Sequence, residues 1–142
     1  MYVKNGRVYV GGYNFEYYEL IGDDSTKLKL IANAVDMAFG QFRNDEGLFH
    51  YLTGDELNLF YLKVAERILK DFSINKAKRC VQERLEYLKA IGWMTQEAVE
   101  RRLSAFDENE LSFGLRLWAE NLIRQFDINH GNTIKNDLVS LL

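Results

Sequence analysis

Proline is absent from the whole chain, although average usage near ~5% would place about seven in this length. A proline ring removes a backbone N–H and collides with the preceding turn, so helix interiors exclude it. Its absence fits long helices joined by glycine- or asparagine-based turns, and it argues against Pro-rich linkers and PxxP ligand segments. Cysteine is almost absent as well. Cys80 stands alone and cannot form an internal disulfide, so a reducing, cytoplasmic setting is expected. No apolar run approaches the roughly 20 residues of a membrane span, and no signal-peptide core is visible. A membrane is not an expected partner.

An excess of one charge is also missing. The net charge is −3; residues 1–71 carry 8 basic and 11 acidic side chains, and residues 72–142 carry 10 of each. With neither a basic half nor an acidic tail, nucleic acid is disfavoured as the main partner, although a local basic face can act within an acidic whole. The familiar chemical signatures are lacking too. There is no G-x-G-x-x-G, Walker A, G-x-S-x-G or H-E-x-x-H pattern. The two histidines, His50 and His130, lie far from each other and from Cys80, which is no zinc-ligand spacing. Cys80 follows Arg79, whose charge would lower a thiol pKa, but a lone Cys beside an apolar stripe is usually a packing residue. No catalytic residue, metal ligand or cofactor is expected, and the chain reads as a non-enzyme.

What is present is a hydrophobic fraction of 47% with 13% aromatics, enough for one core in a single domain over residues 1–142. Residues 1–21 read as three short strands. Asn5-Gly6 is a two-residue hairpin signal because both turn positions need positive φ. It sets Val3 opposite Val8 and Lys4 opposite Arg7. Gly11-Gly12, taken as a second turn of the same length, sets Val10 opposite Tyr13, Val8 opposite Phe15 and Arg7 opposite Glu16. Both registers then place Val3, Val8, Val10, Tyr13 and Phe15 on one face. Tyr2, Lys4, Arg7, Tyr9, Glu16 and Tyr18 fall on the other.

From residue 23 onward the period changes to that of helices. Leu28, Ile31, Val35, Ala38, Phe39 and Phe42 form a first stripe, after caps at Asp23-Asp24-Ser25. A connection at 43–53 carries Gly47, Phe49, His50 and Tyr51. Thr53 with Glu56 makes a capping box for a second stripe of Leu57, Phe60, Tyr61, Val64, Ile68 and Phe72. A third helix carries Val81, Leu85, Leu88 and Ile91 and ends at Gly92 as a left-handed C-cap. Thr95 caps a fourth with Val99, Leu103 and Phe106. A fifth starts near Glu108, with Leu111, Leu115, Trp118, Leu122 and Phe126. A loop at 127–133 leads to a short last helix with Ile134, Leu138 and Leu141. The expected fold is α+β and predominantly α-helical: an N-terminal three-stranded antiparallel meander (1–21) packed on a five- to six-helix bundle (23–142).

Three surfaces stand out. Residues 76–103 hold seven basic and four acidic side chains around Gly92, and a helix-turn-helix reading would use Lys78, Arg79, Arg84, Arg101 and Arg102 on DNA. That pattern departs from the motif at Leu88, which is bulky where a small residue is usual, and at Arg101, where an apolar one is. Asp127 to Leu138 has the texture of a calcium loop, but Asn132 stands where glycine belongs and Leu138 where the bidentate Glu belongs. The third surface is the polar face of the meander. Tyr2, Lys4, Arg7, Tyr9, Glu16 and Tyr18 combine tyrosine with arginine, the composition of protein-binding hot spots. The leading expectation is a protein-binding module that docks on another protein, with a DNA-binding regulator as the alternative and a homodimer as a further option. Small, proline-free, mildly acidic chains are common among phage and plasmid accessory or inhibitor proteins, a likeness of composition alone.

Overall fold

The computed structural model describes residues 1–42 and 52–126 in full and the helical backbone of residues 127–130. Strands β1 (Tyr2–Lys4), β2 (Arg7–Gly11) and β3 (Tyr17–Leu20) form one antiparallel sheet in the order β1-β2-β3. Helices α1 (Ser25–Phe42), α2 (Gly54–Lys70), α3 (Ile74–Ala90), α4 (Gln96–Ser104) and α5 (Glu108–His130) follow. The class is therefore α+β and predominantly helical, as the patterning predicts. The expected last helix and the connection bearing Gly47, Phe49, His50 and Tyr51 lie outside the described residues.

Helix boundaries follow the caps. Asp24 accepts from the backbone N–H groups of Thr26 and Lys27 at the start of α1, and the Thr53–Glu56 box opens α2. Ser73, Thr95 and Asp107 each take an N–H of the first turn of α3, α4 and α5. Gly92, at φ 83°, ends α3 in a Schellman arrangement, with Trp93 N–H bonded to the Leu88 carbonyl and Gly92 N–H to that of Lys89. At the other end, α5 runs through His130, so the expected loop does not begin at Asp127. A calcium loop starting at that residue is thereby lost, its first ligand position being helical.

The apolar stripes meet in one large core. Phe39 stacks on Tyr61 at 3.8 Å and meets Phe60 edge-on at 5.2 Å; Phe60 meets Phe126 at 5.1 Å. Val8, Val10 and Leu20 of the sheet join this cluster, fully buried against α1 and α2. A second cluster of Val81, Leu85, Val99 and Leu117 ties α4 to α3 and α5.

The first hairpin has the expected register, with Tyr2 opposite Tyr9, Val3 opposite Val8 and Lys4 opposite Arg7. The second does not. Val8 faces Leu20, Tyr9 faces Glu19, Val10 faces Tyr18 and Gly11 faces Tyr17. Val10 thus pairs five residues further along than expected, an odd slide that turns every side chain of β3 over. The connection is not a two-residue turn but a single 3-10 turn at Tyr13–Phe15, entered through Gly12 and holding Asn14 and Phe15 at positive φ.

Asn58 on α2 holds that turn in place. Its side chain is fully buried. It accepts from Tyr13 N–H at 2.9 Å and donates to the Tyr13 carbonyl at 2.7 Å, so one amide engages both backbone polar groups of one residue. A Cβ on Gly11 would sit 2.9 Å from Asn58 Oδ1, and one on Gly54 would sit 2.3 Å from Asn14 Nδ2. Gly11 is required by this approach and by its φ of 102°, whereas a side chain at Gly54 would need Asn14 to move aside. Asn58→Ala should lower the unfolding free energy by about 2–4 kcal/mol, from two lost bonds and the polar groups left bare. Denaturant titration reads this directly, and a loss below about 0.5 kcal/mol would contradict the clamp.

Candidate functional site

The turned register redraws the outer face of the sheet. Tyr2, Lys4, Arg7 and Tyr9 lie on it as expected. Tyr18 does not: opposite Val10, it belongs to the inner face and is half-buried. Glu16 does not face Arg7 either, because it lies between the 3-10 turn and the start of β3. Tyr17 and Glu19 take their places, Glu19 directly across from Tyr9. Tyr13 and Phe15, expected inside, are exposed by 49% and 92%. The signals that could have revealed this were Asn14, a residue tolerant of positive φ, and Asn58, an amide beside the apolar stripe of α2.

Three tyrosine rings form the centre of this face. Tyr2 lies 5.6 Å from Tyr9 and 5.2 Å from Tyr17, both tilted, within the range of favourable aromatic pairs. Tyr17 also covers Gly12, whose added Cβ would touch the ring at 3.0 Å. Tyr2 and Tyr17 nevertheless remain 43% exposed. The rings are thus fixed by each other and by the turn, yet still open to a partner. Arg7 reaches Glu19 at only 3.8 Å with most of its side chain in solvent, a weak surface pair.

Glu16 makes a different contact. Its carboxyl shares a hydrogen bond with Asp55 in the first turn of α2, and that bond, with the repulsion between the two charges, raises its pKa above the ordinary carboxylate value. A raised acid pKa means that the folded state binds the proton more tightly. This contact therefore stabilises at low pH, and the benefit is lost as pH rises through the raised value. Relative to Glu16→Gln, the wild type should gain melting temperature as pH falls from 7 to 4. A difference that does not change with pH would contradict the pairing.

The basic residues of 76–103 have different surroundings. Lys78 lies over the Phe106 ring at 5.8 Å, and Arg102 makes a forked contact to Glu110 at 2.9–3.1 Å while lying over Phe113. Arg84 lines a small cleft with Cys80 and Tyr87. Arg79 and Arg101 are exposed, on different helices. Cys80 is half-buried, and burial, with Glu83 nearby, raises its thiol pKa despite Lys76 and Arg79. The lowering expected from Arg79 is thus outweighed.

A larger cleft of about 440 Å³ lies between α2 and α5, floored by Phe60, Val64, Leu122 and Phe126. Of its basic rim, Lys63 pairs with Glu66 at 3.4 Å and Arg67 with Asp71 at 2.8 Å. Glu120 on α5 is a second buried polar residue, 4% exposed, with Arg116 3.8 Å away; it lines neither cleft. Among the described residues no three metal-binding side chains gather, and no helix is long and apolar enough to cross a membrane. No protein-family model matches the chain, and no curated protein or solved structure matches it either.

Proposed function

We propose that this protein acts by docking on another protein through the outer face of its N-terminal sheet, without chemistry of its own. The observation that carries this reading is the ordered tyrosine cluster. Tyr2, Tyr9 and Tyr17 are packed ring to ring on a sheet whose opposite face is buried on helices. Tyrosines fixed in this way present large apolar area and polar tips with little entropy left to lose on binding. Phe15 extends the surface beyond the end of the sheet, held out at φ 64°, a strained conformation for a bulky residue.

Charge defines the partner. The chain as a whole is acidic at −3, but among the described residues the strands present Lys4 and Arg7 against Glu19 on this face. Lys4 is exposed and Arg7 is only loosely held. An acidic protein surface with apolar residues between its charges fits such a patch, because complementary potentials speed encounter and like charges reject the wrong partner. A reducing compartment suits the single half-buried thiol.

The test is capture from cells that produce the protein, followed by titration of the captured protein in purified form. Lys4→Glu combined with Arg7→Glu should weaken its binding about tenfold or more and leave the melting temperature near that of wild type. Arg79→Glu, on the exposed side of α3, should bind as wild type does. Equal affinity for all three proteins would place the docking surface elsewhere.

A further inference from the structure

The sheet is unsupported at one margin. Among the described residues, β1 is an edge strand with β2 as its only neighbour. Val3, Val8 and Leu20 form one row across the sheet, but Val8 and Leu20 are 0% and 1% exposed whereas Val3 is 41% exposed. The apolar face therefore runs past its helical support. Natural edge strands are blunted by short length, lysines, bulges, prolines or inward charges; β1 is three residues long and carries Lys4, but it has no bulge, no proline and no inward charge. The strand is also held in place, because the Met1 ammonium pairs with Asp36 of α1.

The hydrogen-bonding pattern of the hairpin fixes what this edge offers. Asn5 and Gly6, at φ 54° and 77°, form a two-residue turn, and the flanking pair Lys4–Arg7 exchanges both its N–H···O bonds. Pairs alternate from there, so Val3–Val8 is a non-hydrogen-bonded pair. The N–H and the C=O of Val3 consequently both point away from β2, off the free edge. Tyr2 and Lys4 turn theirs inward.

We infer that β1 pairs antiparallel with β1 of a second copy, about a twofold axis through Val3, making one continuous six-stranded sheet. In this register Val3 N–H of each copy bonds the Val3 carbonyl of the other. The two valines meet on the inner face and extend the apolar row. Lys4 falls opposite Tyr2 of the other copy, placing an ammonium beside an aromatic ring at both ends. No like charges are opposed. Registers centred on Tyr2 or Lys4 have no outward N–H and C=O at the axis, and the latter sets lysine against lysine. The edge is thus complementary to itself, which makes a second copy its fitting occupant. The same axis brings the two tyrosine clusters onto one side of the joined sheet, although the pairing does not rest on what those clusters bind.

Sedimentation velocity of the full chain over a range of concentrations tests this directly. Wild type should approach twice the 16.6 kDa chain mass. Val3→Pro removes the outward N–H without touching the bonds to β2, and edge strands tolerate proline. Val3→Lys keeps every backbone group but opposes two charges at the axis. Each should raise the dimer dissociation constant at least tenfold while circular dichroism stays native. In a Cys80→Ser background, Val3→Cys should oxidise to a covalent dimer, since a hydrogen-bonded antiparallel pair holds its Cα atoms about 5.5 Å apart, within disulfide reach. A wild type that stays monomeric at every concentration overturns the inference, as does a dimer unaffected by both Val3→Pro and Val3→Lys. Loss of partner capture in a protein that remains dimeric counts against the docking surface and not against this pairing.

Discussion

One buried amide decides what the N-terminal sheet presents to its surroundings. The Asn58 side chain, itself fully buried, takes both backbone polar groups of Tyr13. Leaving those groups bare would be expensive, so the chain has to place Tyr13 at the start of α2. Asn14 and Phe15 then adopt positive φ to make the bend. That strain opposes the turn by roughly 1–3 kcal/mol for each such residue. The two Asn58 bonds and the burial of Leu20 oppose it and prevail.

The consequences spread outward from that point. Once Tyr13–Phe15 is a turn, β3 begins at Tyr17, and Gly11 rather than Val10 closes the pair. Leu20 goes inside, where it fills space beside Val8 and Val10. Tyr17 goes outside, where its ring completes a cluster with Tyr2 and Tyr9. The helices supply the other half of the arrangement. The capping box at Thr53 and Glu56 fixes where α2 starts, and the absent side chains of Gly11 and Gly54 let sheet and helix touch. The outer face proposed for docking is a product of this junction between α2 and the sheet, whereas the edge proposed for pairing is set by the Asn5-Gly6 hairpin.

Much of this was legible in the residues themselves. The Thr53–Glu56 box, the Gly92 stop and the Asn5-Gly6 hairpin depend on local chemistry and stand where patterning puts them. So do the first five helical stripes, except that Phe72, Ile91 and Phe106 fall just past the ends of α2, α3 and α4. Alternation along β3 failed because YNFEYYEL supports either face. Tyr13 and Phe15 suit one inner set, Tyr18 and Leu20 the other. The choice lies with Asn58, 45 residues away along the chain, and no local rule carries that distance. The composition of the outer face was therefore right in kind, tyrosines with basic residues, and wrong in two members. The same limit applies to the basic segment, where Arg102 meets Glu110 and Lys78 meets Phe106 only because α4 and α5 fold onto α3.

The outer face of the sheet stands on the register of β3, and cross-strand nuclear Overhauser effects measure it most directly. The account predicts contacts between Val10 and Tyr18, between Val8 and Leu20, and between the rings of Tyr2 and Tyr17, together with slow exchange of the Tyr13 amide. Contacts of Val10 with Tyr13 and of Val8 with Phe15 would contradict it, returning Tyr18 to the outer face and releasing Asn58 from any part in the turn.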